Sequence, residues 1–443
     1  MADIIIIGAG PGGYEMAAEA AGKGLDVVIV ERDELGGTCL NRGCIPTKAL
    51  CASANAVSTV LDAERWGITT GEVSFDYGKA AQRKDEVVAQ LRSGVEMLLN
   101  RDNITIVKGE ARIVDNHTVA VSDETYMAKN IVIATGSEPR PLRIAGAELA
   151  IDSDRLLSLE SLPESICIIG GGVIGMEFAA ILNAYGVAVT VIEYCKEILP
   201  PFDRDIAKRL RQSLSKRGLN IITQAAVDGI SRCDDGMLQI SYEHKAKAKS
   251  ESAAMVLMSV GRRAVLPEGI ENAGVMVSRG FIEVDEHMQA ADGVYAIGDV
   301  NGKCMLAHAA TAQGRVALAH ILGEDCGINL NIVPSPVFTT PELAMVGMTE
   351  QQCADAGLEV DVKKSFFRAN GKAVAMGESE GLVKLIVERE SGRIAGCHIC
   401  GPHAADLIQE VATIMAAGLP AATLSRTIHG HPTLSEVLPM AAH

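Results

Sequence analysis

Aromatic side chains are scarce in this sequence: one tryptophan, seven tyrosines and seven phenylalanines make up 3% of 443 residues. Proteins that stack single-stranded nucleic acid rely on such rings, so that function is disfavoured. Positive charge is also short. Forty Lys and Arg face 56 Asp and Glu, a formal net charge of −16. An acidic chain repels phosphate backbones, so no nucleic-acid partner is expected. No apolar run approaches the ~18 residues of a spanning helix, so no membrane span is expected. No basic lead precedes the apolar residues 4–7 and no sorting tail stands at 440–443, so no targeting signal is expected. The eleven cysteines are an odd number scattered over the whole chain. Without a secretion signal they read as the cysteines of a reduced, cytoplasmic protein, most of them small buried apolar residues.

Length and glycine are plentiful. At ~150 residues per domain the chain suggests about three domains, each large enough for a core without disulfide staples. Residues 3–7 form a β-branched strand, 8–13 (Gly-Ala-Gly-Pro-Gly-Gly) a tight turn, 14–21 an alanine-rich helix, and 26–30 a second strand ending at Glu31. The pattern recurs at 165–169, 170–175 (Gly-Gly-Gly-Val-Ile-Gly), 176–185 and 188–192, ending at Glu193. First glycine and terminal acid lie 23 residues apart in both copies. A glycine turn of this kind brings backbone N–H groups to a pyrophosphate at the positive end of a helix, and the acid accepts from ribose hydroxyls. One such turn arises readily by chance. Two, each with strand, helix and acid in place, predict two dinucleotide-binding domains. After the second strand stand Glu193, Tyr194, Cys195 and Lys196. A carboxylate there repels a 2′-phosphate, so NAD(H) is favoured over NADP(H).

The remaining organisation is coarser. Residues 81–100 read as an amphipathic helix, 131–136 and 294–299 as strands running into glycine turns, and 238–257 as a meander with a charged tip at 244–251. Pro334, Pro336 and Pro341 suggest a linker. Beyond it, alternating stretches at 360–366, 382–388 and 394–400, with helices at 404–417 and from 434, suggest an α+β domain. The fold class expected is therefore α/β: two Rossmann-like dinucleotide-binding domains and a C-terminal α+β domain.

Two stretches carry chemistry. The first is 36–48, Gly-Gly-Thr-Cys-Leu-Asn-Arg-Gly-Cys-Ile-Pro-Thr-Lys. Cysteines five apart on a regular helix diverge by about 140°, too far for a disulfide. Gly43 and Pro46 can bend that geometry, Pro46 by loosening the first turn. A helix start also favours the thiolate. The second is 427–436, with His429, His431 and Glu436. Its bland reading is a capping box of Thr433 with Glu436. The His-x-His spacing lacks further ligands, and Cys397, His398, Cys400 and His403 sit in a strand pattern, so no metal site is expected at either place.

The 36–48 stretch resembles the active-site signature of the class I flavoprotein disulfide reductases. The likeness extends over the chain, including Ala134-Thr135-Gly136, Gly298-Asp299 and the late His/Glu motif. It implies FAD at the first turn, NAD at the second, and a redox disulfide of Cys39 with Cys44. It implies an acid–base His431, oriented by Glu436 and supplied by the partner of an obligatory homodimer, with His429 structural. Lys48 would lie beside the flavin and pair with Glu177. The implied cofactor contacts are Gly8, Gly10, Gly13, Glu31, Thr38, Lys48, Thr135, Gly136, Gly170, Gly172, Gly175, Glu193, Gly261, Asp299, Ala307 and His308. The implied division is a FAD-binding domain at 1–140, an NAD-binding domain at 141–262, a central domain at 263–332 completing the FAD site, and a dimerisation domain at 333–443. Residues 366–373 and 429–436 resemble the branch of the family that oxidises dihydrolipoyl groups. The partner expected is then a lipoyl-bearing protein of a 2-oxo acid dehydrogenase complex or the glycine cleavage system. Another NADH-dependent flavoprotein disulfide reductase is the alternative.

Overall fold

A computed structural model describes residues 1–443. The chain forms two compact units. One comprises Met1–Leu50, Gly78–Arg140 and Gly261–Leu330; the other comprises Cys51–Tyr77, Pro141–Val260 and Asn331–His443.

The first unit starts with β1 (Ala2–Ile7), α1 (Pro11–Gly22) and β2 (Val27–Glu31). Side chains alternate across a strand, and the four isoleucines of β1 use both faces. Ile4 and Ile6 pack with Met16, Ala17 and Ala20 of α1 and with Ala317 and Leu318, whereas Ile5 and Ile7 pack with Val119, Ile131 and Ile133. Such burial on both sides explains an unbroken apolar strand rather than an alternating one. β1 lies between β2 and Glu124–Ile133, parallel to both. Val294–Ala296, from much later in the chain, adds in parallel to Glu124–Ile133. Residues from both ends of the unit thus build one sheet. Helix Ala307–Leu322 approaches α1 closely: a Cβ on Gly12 would stand 3.1 Å from the carbonyl oxygen of Ala310.

The second unit contains β3 (Ser165–Ile169), α4 (Val173–Ala184), β4 (Ala188–Ile192) and α5 (Arg204–Lys216), where α2 and α3 are helices Gly37–Arg42 and Cys44–Leu61. Its parallel sheet runs Asn220–Ile222, β4, β3, Met255–Met258. A separate antiparallel sheet differs from expectation. The charged residues placed at a tip form the strand Lys247–Ala253, and only Lys245 and Ala246 make the turn. Charge suits this strand because it is an exposed edge.

The C-terminal sheet has five antiparallel strands in the order Ser335–Val337, Glu342–Gly347, Ile394–Gly401, Leu382–Glu388, Val360–Phe366. The expected proline linker is partly an edge strand, where Pro336 has no ladder bond to lose. Helix Ala404–Ala416 covers one face, and Cys397 packs there with Ile408 and Val411. Cys400, three residues on, points to the opposite face and is also wholly buried. No helix is long and apolar enough to cross a membrane.

Ile6 is completely buried between β1 and the helical layer. Ile6→Ala is expected to destabilise the fold by about 2–5 kcal/mol, read as a lower denaturant midpoint at unchanged slope. A loss below ~0.5 kcal/mol contradicts this packing.

Candidate active site

The two glycine turns are the same construction. Gly8 has φ +105° and Gly170 φ +107°. A Cβ on Gly8 would lie 2.4 Å from the carbonyl oxygen of Ala134, and one on Gly170 would lie 2.5 Å from that of Ser259. At Gly13 and Gly175 a Cβ would lie 2.0 and 2.1 Å from the carbonyl oxygens of Gly8 and Gly170. Strand and helix can therefore meet only without side chains at these four positions. Gly10 and Gly172, by contrast, face open space. Both lie at helix N-termini whose first turns carry no acid. Open volume, backbone N–H groups and a positive helix end suit a bound phosphate.

The terminal acids close over these turns. Glu31 Oε2 accepts from the Ala9 amide at 2.7 Å and Oε1 from the Asp33 amide at 2.8 Å. Glu193 Oε2 accepts from the Gly171 amide and Oε1 from the Cys195 amide, both at 2.6 Å. The expected role was ribose binding; the structure shows each carboxylate first clamping its own turn. A carboxylate has about four acceptor sites, so these bonds leave capacity for hydroxyls.

Further residues border the first turn. Thr135 Oγ1 donates to the Val265 carbonyl at 2.5 Å, and Gly136 (φ +70°) and Gly261 (φ +105°) face open space. Asp299 accepts from Ser137 Oγ, which accepts from Arg262 Nε at 2.7 Å. Gln313 Oε1 accepts from the Gly298 amide at 2.7 Å and from Asn301 Nδ2 at 2.8 Å, fixing the turn that presents Asp299. Ala307 opens its helix half-buried, and His308 beside it is exposed. Ser137, Arg262, Asn301 and Gln313 were not singled out in the sequence. They are isolated polar residues, and only the folded chain brings them together.

The cysteines lie where two helices meet. The Gly36 amide donates to the Ala9 carbonyl at 2.8 Å, and a Cβ on Gly37 would stand 2.7 Å from Gly10 Cα. The start of α2 therefore leans on the first glycine turn. Asn41 Nδ2 holds it there through the carbonyls of Gly37 and Leu35 at 2.9 and 3.0 Å. α2 stops at Arg42 and α3 begins at Cys44. Between them, a Cβ on Gly43 would lie 2.9 Å from the Thr38 carbonyl oxygen and 3.3 Å from Cys39 Cα. The break is thus at Gly43, not in a turn loosened by Pro46. Pro46 sits in the first turn of α3, where a missing N–H costs nothing. The Gly43 carbonyl accepts from both the Thr47 amide at 3.2 Å and Thr47 Oγ1 at 2.6 Å.

This break brings the two side chains into a hydrogen bond. That bond with Cys44, and then burial, push the Cys39 thiol above its ordinary value, while the Lys48 ammonium favours its thiolate. Cys39 is half-buried and Cys44 exposed. Cys44 holds the first position of an 18-residue helix, whose N-terminus favours negative charge. Lys48, four residues on, shares its face. Thr38 is half-buried on α2. Glu177, buried on α4, accepts at Oε1 from the Phe338 amide at 2.9 Å.

At the C-terminus, His431 Nδ1 meets Glu436 Oε1 at 2.9 Å. Glu436 Oε2 accepts from the Thr433 amide at 2.8 Å. One carboxylate therefore closes a capping box and orients an imidazole. The His431 side chain is 79% exposed. His429 is held instead, Nε2 against Glu410 Oε1 at 2.8 Å and Nδ1 against the Thr427 carbonyl at 3.0 Å. Glu410, the partner that makes His429 structural, was not singled out in the sequence.

The Thr433 amide and His431 hold the Glu436 carboxyl below its ordinary value of 4.5. A depressed folded value means that the contribution is complete above 4.5 and is lost as pH falls through the lower folded value. Hydrogen exchange at the Thr433 amide is expected to stay protected down to that range. Protection already lost at about pH 6 contradicts the assignment.

Residues 2–314 match the family described as pyridine nucleotide-disulphide oxidoreductase, and residues 333–442 match the dimerisation domain of that family. The dihydrolipoyl dehydrogenase of Geobacillus stearothermophilus is 40% identical, over 99% of this chain and 95% of that protein. The dihydrolipoyl dehydrogenase of Chlamydia pneumoniae is 39% identical, over 98% and 95%. Among solved structures, the HOCl-induced flavoprotein disulfide reductase RclA from Escherichia coli superposes with a TM-score of 0.88 at 31% identity, covering 99% of each chain. With two matched glycine turns, a dithiol at a helix break and a C-terminal dimerisation domain, the chain belongs to the pyridine nucleotide-disulphide oxidoreductase family.

Proposed function

We propose that this protein oxidises protein-bound dihydrolipoyl groups to lipoyl with NAD⁺ as acceptor, the reaction of dihydrolipoyl dehydrogenases. The observation that carries the reading is the Cys39–Cys44 hydrogen bond at the Gly43 break, set against the first glycine turn. Full-length identity near 40% to dihydrolipoyl dehydrogenases supports the choice of substrate.

The reaction begins with Cys39 and Cys44 joined as a disulfide. His431 Nε2 takes a proton from a substrate thiol, and Glu436 steadies the imidazolium through Nδ1. The substrate thiolate attacks Cys39 Sγ; the Cys39–Cys44 bond breaks and Cys44 leaves as a thiolate. The second substrate sulfur displaces Cys39, closing the lipoyl ring and leaving Cys39 and Cys44 reduced. Bound FAD would supply the two-electron relay from the reduced pair to NAD⁺, for net products of lipoyl, NADH and one proton. Lys48 favours the thiolate form of the pair and, in this reading, is balanced by Glu177.

Gly8, Gly10, Gly13, Glu31, Thr38, Lys48, Thr135, Gly136, Asp299, Ala307 and His308 would hold FAD. Gly170, Gly172, Gly175 and Glu193 would hold NAD, and Gly261 would be a further cofactor contact. The open space at Gly10 and Gly172, each at an acid-free helix start, fits their pyrophosphates. In this reading residues 1–140 and 263–332 form the FAD half, 141–262 the NAD domain and 333–443 the dimerisation domain. His431 serves the other subunit of a homodimer, which accords with its exposed ring. The partner is a lipoyl-bearing protein of a 2-oxo acid dehydrogenase complex or the glycine cleavage system, and the location is cytoplasmic.

Likeness to RclA favours a second reading, an NADH-dependent reductase of another disulfide. Assays with dihydrolipoamide, glutathione disulfide and oxygen side by side separate the two. Dihydrolipoamide is expected to be oxidised fastest; preference for glutathione disulfide or oxygen overturns the reading. Cys44→Ser is expected to lower dihydrolipoamide oxidation by at least about a thousandfold while NADH still reduces an artificial dye. Retained lipoamide turnover contradicts the role of the pair. Because Glu193 repels a 2′-phosphate, kcat/KM for NAD⁺ should exceed that for NADP⁺ by at least about tenfold. Equal use of both contradicts that role.

A further inference from the structure

Lys384 is a lysine in an otherwise apolar stretch of the interior strand Leu382–Glu388, and its side chain is only 2% exposed. Its Nζ donates to Asp203 Oδ1 and Oδ2 at 3.0 and 2.9 Å and to Asp205 Oδ2 at 3.2 Å. Glu350 Oε2 stands 2.6 Å away. Burial alone would push this ammonium down, but its bonds to Glu350 and Asp203 prevail and hold it above the ordinary lysine value. An apolar side chain of similar volume would fill the space without desolvating a charge. What the ion cluster adds is direction, because it fixes where Asp203 sits.

Asp203 caps α5 and ends the segment that leaves Glu193. That segment is fixed along its length. The Leu199 amide donates to the Gly171 carbonyl at 2.8 Å, and the Phe202 amide to the Leu199 carbonyl at 2.8 Å. Ile198 and Leu199 are wholly buried, and a Cβ on Gly171 would stand 3.2 Å from Ile198 Cγ2. Residues 193–203 therefore form a wall of the second glycine turn. Glu193 anchors its near end and Asp203 its far end.

We propose that Lys384 is a positioning residue for the pyridine-nucleotide site: from the C-terminal sheet it holds Asp203, and through residues 193–203 it sets the shape of the Gly170–Gly175 turn. This rests on the reading of that turn as the NAD site. Lys384 bonds the carboxylates of Asp203, Asp205 and Glu350, which lie outside the cysteine pair, so its effect falls on one half of the reaction.

The test uses the FAD-loaded, full-length dimer. Lys384→Met is expected to raise KM for NAD⁺ and the Kd of NADH about tenfold. Flavin reduction by dihydrolipoamide without NAD⁺, followed by stopped flow, should stay within about twofold. A merely structural role would lower the thermal midpoint and leave KM unchanged, or depress both half-reactions together; either result overturns the proposal. Should Lys384→Met fail to fold, Asp203→Asn carries the test, since asparagine still caps α5. It is expected to raise KM for NAD⁺ about threefold or more, and an unchanged KM overturns the proposal. Wild-type protein that binds no NADH refutes the reading of the turn, whereas equal binding by wild type and variant refutes only the role of Lys384.

Discussion

Everything in the proposed chemistry depends on one interruption of the backbone. An uninterrupted helix would set Cys39 and Cys44 on diverging faces. At Gly43 the chain passes too close to the Thr38 carbonyl and Cys39 Cα for any side chain, so α2 ends and α3 begins one residue later. The break returns Cys44 to Cys39 and gives Cys44 the first position of a long helix. Thr47 bonds the Gly43 carbonyl with both its amide and its hydroxyl, which ties α3 to the break. Hydrogen bonding, helix dipole and a lysine one turn away then act on the same pair of sulfurs.

The same constraint, backbone approaching backbone, builds the nucleotide turns. Four glycines are forced by contact, and two more face open space. The first turn also supports the cysteines, because Gly36 and Gly37 rest on Ala9 and Gly10. The cysteine pair and the first glycine turn thus share one corner of the first unit. The His431–Glu436 pair stands on a different support. Glu436 bonds the Thr433 amide and His431 with its two oxygens, so the turn before the last helix also orients the imidazole.

The parts legible in the sequence were those whose cause is local. The parallel strands showed as β-branched runs, and the two turns showed as glycine spacing with an acid 23 residues on. The Thr433–Glu436 capping box was legible from spacing and the His431–Glu436 pair through the family resemblance, and the structure shows the bonds of both. The location of the helix break was not legible, because Pro46 and Gly43 are both breakers and only the Cβ contacts distinguish them. Ser137, Arg262, Asn301 and Gln313 gave no signal, since their meaning comes from neighbours distant in sequence. Lys384 was hidden for another reason. A lysine in an apolar strand reads as a solvent-facing residue until Asp203 and Glu350 are seen around it.

The most direct measurement of the central claim is peptide mapping of the cysteines after rapid alkylation in two redox states. The oxidised protein should yield a single peptide linked between Cys39 and Cys44, and the protein reduced by dihydrolipoamide should yield both as alkylated thiols. If both sulfurs are alkylated equally in the two states, or a different cysteine pair changes, Cys39 and Cys44 are not the couple that exchanges with the substrate.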